Sequence, residues 1–502
     1  MVHWPRYPKI YEINTWVWLT GLKAKYGPRL ELGSVPAAEW DVIAELGFDA
    51  VWLMGVWERS PAGIAIANRN QGLLDSFRRA LPDFEPADNV GSPYCIRRYV
   101  VDQALGGPDG LAAARAELIK RGMRLILDFV PNHTAPDHPW VVEHPEYYIR
   151  GSADDLRNDP ASFVEVSGNV IACGRDPYFP AWPDVVQLDA FDPGLRKSVT
   201  QTLLDIASQS DGVRCDMAML LLNGIFERTW GGRAGQRPET DYWAEVIPVV
   251  KQVRRDFLFI AEAYWDLEWE LQQQGFDFCY DKRLYHRLAH DGAESIRLHL
   301  CADPAYQDKL VRFIENHDEP RAAAAFSPAQ GRVAAIATST LTGARLFHEG
   351  QLEGLKVRLP VFLGRRPDEP VDDGIRAFYM RLLAALESPV FANGQWSLSE
   401  RTGWPDNPSF QNIVSWNWSK DDLRYLIVVN LSDRDAQARV RVPWADLQGQ
   451  TLLLSDRLSD VSFERNGDEI QGEGLFVALG PWGYHFLECQ RKREPASAAT
   501  AG

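Results

Sequence analysis

The chain has 502 residues, 45% hydrophobic and 24% charged, with a formal net charge of −16. That length exceeds one small domain and allows a barrel-sized core with appendages, in a composition typical of soluble globular proteins. The acidic balance argues against nucleic acid as a partner, and no apolar run reaches the roughly 18 residues of a membrane span. Residues 1–6 lack a basic region followed by an apolar one, so no secretory signal is expected. Cysteines at 95, 173, 215, 279, 301 and 489 form no Cys-x-x-Cys pair. Reduced thiols in a cytoplasmic protein are the simplest account, and a zinc site is not expected. Tryptophan is abundant, at 18 residues; many will be core, but flat aromatic faces also suit sugar rings.

Taken in chain order, Tyr7 to Leu19 reads as a first strand. Residues 34–47 read as a helix, with Pro36 near its start and Gly47 at its stop, and 48–54 follow as a buried strand. Asp109 caps the next helix, which carries Leu111, Leu118 and Ile119 and ends at Gly122; residues 123–130 form the next strand. Asp192 and Pro193 start a helix with Leu195, Val199, Leu203 and Ile206 on one face. A strand running into Asp216 follows it. Asp241 starts a helix with Val246, Val250 and Val253, and residues 257–262 form a strand. Weaker units end at Tyr280, Ile314 and His348, and residues 373–387 form a last helix.

Apolar strands alternating with amphipathic helices mean a parallel sheet covered by helices, and eight such strands close a (β/α)8 TIM barrel of α/β class. The expected organisation is a first barrel part over 1–133, an inserted subdomain over 134–188 and a second barrel part over 189–395. A C-terminal antiparallel β-sandwich over 396–490 and a disordered tail over 491–502 complete it. Residues 134–188 lack helical period, and residues 56–98 form a second long excursion. Beyond about 395 the pattern turns to short alternating runs, the mark of a sandwich.

Active sites of such barrels lie at the C-terminal ends of the strands. Strand three ends in Asp128, Asn132 and His133, strand four in Asp216, strand five in Glu262 and strand seven in His317 and Asp318. Arg214 and Asp216 share one side of their strand, since side chains alternate. An arginine beside a carboxylate orients it and favours its charged form, as a carboxylate nucleophile needs; alone, such a pair is more often a structural ion pair. Ends of adjacent strands, about 4.8 Å apart, suit the roughly 5–5.5 Å between the two carboxyls of a retaining glycosidase.

These four stretches, 128–133, 212–216, 262–264 and 313–318, resemble the four signature regions of glycoside hydrolase family 13, the α-amylase family, in the family's order. The resemblance extends to the insertion after strand three and the C-terminal sandwich. It implies Asp216 as nucleophile, Glu262 as general acid/base and Asp318 as the carboxylate that binds sugar hydroxyls and stabilises the transition state. It implies Arg214 as the group orienting Asp216, His133 and His317 as ligands of the cleaved sugar, and Tyr94 as a stacking tyrosine.

The chain also departs from the α-amylase pattern. Met219 and Leu220 stand where many α-amylases carry the lysine and histidine that serve the acceptor side and a structural calcium. They either disfavour water or merely fill space. Asn132 could touch a cation, but no cofactor or required metal is expected. Met217 replaces a usual small residue and is expected to crowd the cleft. The fourth region, Asn316 to Arg321, resembles the version found in α-glucosidases and in glucosyl- or maltosyl-transferring relatives.

The leading expectation is an α-glucosidic hydrolase with a carbohydrate substrate. A transglycosylase using a sugar or phosphate acceptor is the near alternative. A non-catalytic interaction subunit is the alternative of another class. Hydrolysis against transfer, linkage, chain length and oligomeric state are not legible.

Overall fold

In the computed structural model, which describes residues 4–492, eight parallel strands close a barrel. They are β1 (Lys9–Asn14), β2 (Ala50–Met54), β3 (Arg124–Phe129), β4 (Gly212–Cys215), β5 (Leu258–Ala261), β6 (Phe278–Tyr280), β7 (Leu310–Arg312) and β8 (Ala344–His348). Each pairs with its sequence neighbours, and β1 closes the ring against β8. The TIM-barrel expectation holds. Most strand residues are buried on both faces, because helices cover the outside and side chains fill the inside.

Local differences have physical causes. β1 stops at Asn14, and Thr15–Tyr26 is a helix, where a strand reaching Leu19 was expected. Asn14 accepts the Val17 N–H and so caps that helix, overriding the strand-like run of Trp16, Val17 and Trp18. The helix Gly107–Lys120 begins at Gly106, in a left-handed turn, rather than at Asp109, which lies in its first turn. Leu111, Ala114 and Leu118 form its inward stripe, while Ile119, one position off it, is 58% exposed. Val253 is likewise exposed, at the end of the helix Tyr242–Val253.

The segment after β3 carries a four-stranded antiparallel sheet built from His133–Thr134, Phe163–Val166, Asn169–Gly174 and Trp182–Gln187. The excursion after β2 contains helices Pro61–Ala67 and Gln71–Ala80 and a strand pair, Trp57–Arg59 with Ile96–Val101. Beyond the barrel lie a six-stranded and a three-stranded antiparallel sheet with a core of their own. Trp416 and Trp418 tie this region to the barrel through hydrogen bonds from their indole N–H groups to Thr340. Of the expected tail over 491–502, residues 493–502 lie outside the described residues.

Candidate active site

Strand register places the reacting groups side by side. Cys215 on β4 pairs with Ala261 on β5, so Asp216 and Glu262 leave adjacent strands at the same level. Backbone bonds continue the ladder past the strands: Glu262 N–H donates to Cys215 O, Asp216 N–H to Phe129 O, and Ala218 N–H to Glu262 O. Met217 then turns into the left-handed region, φ 42° and ψ 44°, which costs a non-glycine residue of order 1–3 kcal/mol. That turn brings its N–H to 2.6 Å from Glu262 Oε2.

Arg214 is wholly buried at the centre of the site. Its Nη1 donates to Asp216 Oδ1 at 2.7 Å, and its Nη2 lies 2.7 Å from Glu262 Oε2. The guanidinium carbon lies 5.1–5.8 Å from the ring centres of Tyr94, Trp52 and Tyr280. Asp128 stands further off, 3.9 Å from Nη1, and instead accepts from the Trp52 indole and the Gly55 N–H. One planar cation thus orients Asp216 by a charge-assisted hydrogen bond and holds Glu262 beside it by charge.

Their charge states differ. Burial pushes Glu262 up to about 7, with Asp216 and Asp318 acting in the same direction against Arg214 and the Met217 N–H. Burial also raises Asp216 above its ordinary value, opposed by Arg214. Arg214 therefore favours the Asp216 carboxylate without cancelling the effect of burial. Asp318 goes the other way. Its side chain is 43% exposed at the cavity, and enclosure of the cleft opposes its charge, but the His317 imidazolium outweighs that and holds the carboxyl low. Glu262 poised near neutrality beside Asp318 held ionised gives the site one proton donor and one fixed negative charge.

His317 lies between two carboxylates. Its Nδ1 meets Glu12 Oε1, and its Nε2 is 2.9 Å from Asp318 Oδ2 and 2.6 Å from the Tyr94 hydroxyl. With an acceptor at each nitrogen the ring carries both protons; burial opposes this, but Asp318 and Glu12 raise its pKa. His133 is neutral instead, pushed down to about 4 by burial, with its ring edge against Trp182.

A cavity of about 360 Å³ opens over these groups, within the range of small-molecule sites. Tyr94, His133, Asp216, Glu262 and Asp318 line it; Arg214 and His317 stand behind that wall. The sequence reading assigned no role to several neighbours: Glu12, Tyr264, Trp182, Asp184 and Phe362. Glu12 had a legible signal, as the one carboxylate in the otherwise buried run of β1. Phe362, in the loop after β8, had none.

Met217 lines the cavity, as its bulk suggested, whereas Met219 and Leu220 are buried in a turn away from it. Of the two roles left open for that pair, filling space is the one the structure supports. Asn132 is engaged by Gln187 through both its carboxamide and its backbone carbonyl. With apolar side chains at 219 and 220, that donor set does not fit a calcium ion, which takes six to eight oxygens.

Comparison with known proteins bears on this arrangement. The family model described as alpha amylase, catalytic domain, matches residues 38–165. The alpha-amylase MalA of Haloarcula japonica is 25% identical over 363 residues, covering 69% of this chain and 44% of that protein. Alpha-amylase 3 of Dictyoglomus thermophilum is 21% identical over 277 residues, 51% of this chain and 52% of that protein. The chain therefore spans about half the length of these curated relatives. An α-1,4-glucan:maltose-1-phosphate maltosyltransferase of Rhodospirillum rubrum is 35% identical over 138 residues, 26% of this chain and 18% of that protein. Among solved structures, a noncanonic maltogenic alpha-amylase of Thermotoga neapolitana superposes with a TM-score of 0.68 at 19% identity, covering 96% of this chain and 98% of that one.

Proposed function

We propose that the chain is a member of glycoside hydrolase family 13, the α-amylase family, and a retaining enzyme that cleaves α-glucosidic bonds of α-1,4-glucan oligosaccharides or related α-glucosides. The observation that carries the reading is one guanidinium holding Asp216 and Glu262 at 2.7 Å each, with Glu262 pushed up to about 7 beside it.

Asp216 attacks C1 of the sugar while Glu262 gives its proton to the departing glycosidic oxygen. The C1–O bond breaks, and a glycosyl ester forms on Asp216. Water then attacks C1, giving its proton to Glu262, and the ester bond breaks. Asp318, kept ionised by the His317 imidazolium behind it, holds hydroxyls of the same sugar, and His133 and Tyr94 complete its pocket. Positioned proton transfer contributes roughly 10²–10⁴-fold, and fixed charges at the cleft stabilise the oxocarbenium-like transition state. No metal step belongs to the mechanism.

The second reading passes the glycosyl group from Asp216 to a sugar or phosphate acceptor. The 35% identity to a maltosyltransferase favours keeping it. A non-catalytic subunit is disfavoured by the intact carboxylate set around Arg214. The proposal further places the protein in the cytoplasm with no nucleic-acid partner, on its free, mostly buried cysteines and its net charge of −16. No helix among the described residues is long and apolar enough to cross a membrane.

The test is a product profile with maltooligosaccharides, starch, sucrose, trehalose and isomaltose, each with and without sugar and phosphate acceptors. Hydrolysis products alone support the hydrolase. Longer or new glycosides overturn it in favour of transfer, and no turnover of any α-glucoside overturns both.

A further inference from the structure

Glu262 has two unlike oxygens. Oε2 accepts from the Met217 N–H at 2.6 Å and lies 2.7 Å from Arg214 Nη2. The first donates a hydrogen bond and the second belongs to a cation, so a proton on Oε2 is disfavoured. Oε1 faces the hydroxyl of Tyr264 at 2.7 Å. A phenol hydroxyl either donates or accepts. The acid proton therefore belongs on Oε1. Glu262 is the one hydrogen-bond partner of the Tyr264 hydroxyl among the described residues, so its O–H is free to turn.

We propose, on the assignment of Glu262 as acid/base, that Tyr264 is a positioning residue whose hydroxyl donates to Oε1 of the ionised carboxylate and turns to accept from Oε1–H of the protonated acid. It thereby keeps the transferable proton on Oε1, beside Tyr264, which lines the cavity. In the first step the Oε1 proton passes to the glycosidic oxygen as C1–O breaks and Asp216 bonds to C1. The Tyr264 hydroxyl then turns to donate to the ionised Oε1. In the second step the attacking hydroxyl gives its proton to Oε1, the Asp216–C1 bond breaks, and Tyr264 accepts again.

The other charged or titratable groups around Glu262 keep their places through both steps, and Asp216 alone loses its charge, in the ester. Arg214 and Asp216 face it from β4, Tyr280 from β6 and Asp318 from beyond β7. Burial, with Glu262 and Asp318 nearby, keeps the Tyr264 hydroxyl protonated far into alkaline pH. A hydroxyl stabilises an ionised carboxylate more than a neutral one. Removing it raises the pH at which Glu262 loses its proton.

The experiment compares the wild-type enzyme with Tyr264→Phe on a maltooligosaccharide, whose leaving group needs a proton, and on an α-glucosyl fluoride, whose leaving group does not. The basic limb of kcat/KM for the oligosaccharide is expected to move up by about 0.5–1 pH unit. Turnover of the oligosaccharide is expected to fall about tenfold, and that of the fluoride to change little. 3,5-Difluorotyrosine in place of Tyr264, a stronger donor of the same shape, is expected to move the limb down instead. An unmoved limb in both variants, or equal losses on both substrates, overturns the proposal. Glu262→Gln on the same pair separates the underlying assignment. A loss confined to the oligosaccharide upholds the acid/base role whatever Tyr264 does, and equal loss on both removes it.

Discussion

Glu12→Gln tests the charge relay behind the sugar pocket. Glu12 has no solvent exposure, and its Oε1 is the partner of His317 Nδ1. The glutamine retains the shape and an acceptor oxygen, so the change removes charge more than it removes a hydrogen bond. Breaking a buried ion pair by deleting one partner costs about 3–5 kcal/mol. Asp318 remains as a second counter-charge for the imidazolium, so a loss of about 2–3 kcal/mol is expected. The pH window follows from both partners. Burial opposes the Glu12 charge, but His317 outweighs it and lowers the carboxyl below its ordinary 4.5, so its stabilisation is present above 4.5 and lost as pH falls through the lowered value. His317 is raised above 6.5, so its share is fully present below 6.5 and lost as pH rises through the raised value. The pair therefore counts in full between about 4.5 and 6.5. Urea unfolding followed by circular dichroism at pH 5.5 and 9 measures it. A smaller loss at pH 9 than at pH 5.5 is expected. A loss below about 0.5 kcal/mol at pH 5.5, or one identical at both pH values, refutes the double-carboxylate account of His317.

Two further outcomes are expected. Asp216→Asn should lower turnover by about 10⁴-fold or more with an unchanged circular dichroism spectrum, and near-normal activity removes it as nucleophile. At position 217 both Met217→Ala and Met217→Gly lose the side chain, so their difference isolates the left-handed backbone. The glycine variant should be more stable in urea by about 1 kcal/mol, and equal stability removes the strain.

Much of the site was legible because a barrel gathers its strand ends at one rim. Asp216, Glu262, Asp318, His133 and His317 each sit within a few residues of an apolar strand, so recognising strands sufficed to bring them together. Trp182 and Phe362 arrive from the insertion and from the loop after β8, where no period predicts direction. Glu12 escaped notice because its partner is 305 residues away. The strand expected through Leu19 failed because Trp16, Val17 and Trp18 suit either element, and only the capping bond of Asn14 decides between them. The charge of His317 was not legible, since it depends on Asp318 folding back onto its Nε2 and on Glu12 meeting its Nδ1.

The acceptor side turns on how the chain leaves β4. Met219 to Leu222 form a buried turn, so they shape the cleft only by where they hold Met217. Met217 performs two tasks at once: its N–H fixes Glu262 Oε2, and its side chain lines the cavity beside Trp182 and Tyr264. The backbone task requires the left-handed turn whatever the side chain. The side-chain task is independent of it, and a thioether offers an incoming water no strong hydrogen bond. A bound sugar acceptor, by contrast, gains apolar contact from Met217 and an aromatic face from Trp182. If the acceptor is chosen by a side chain leaving β4, position 217 is the one that reaches the cavity, so Met217→Ser is expected to raise the ratio of hydrolysis to transfer products, and an unchanged ratio removes that role.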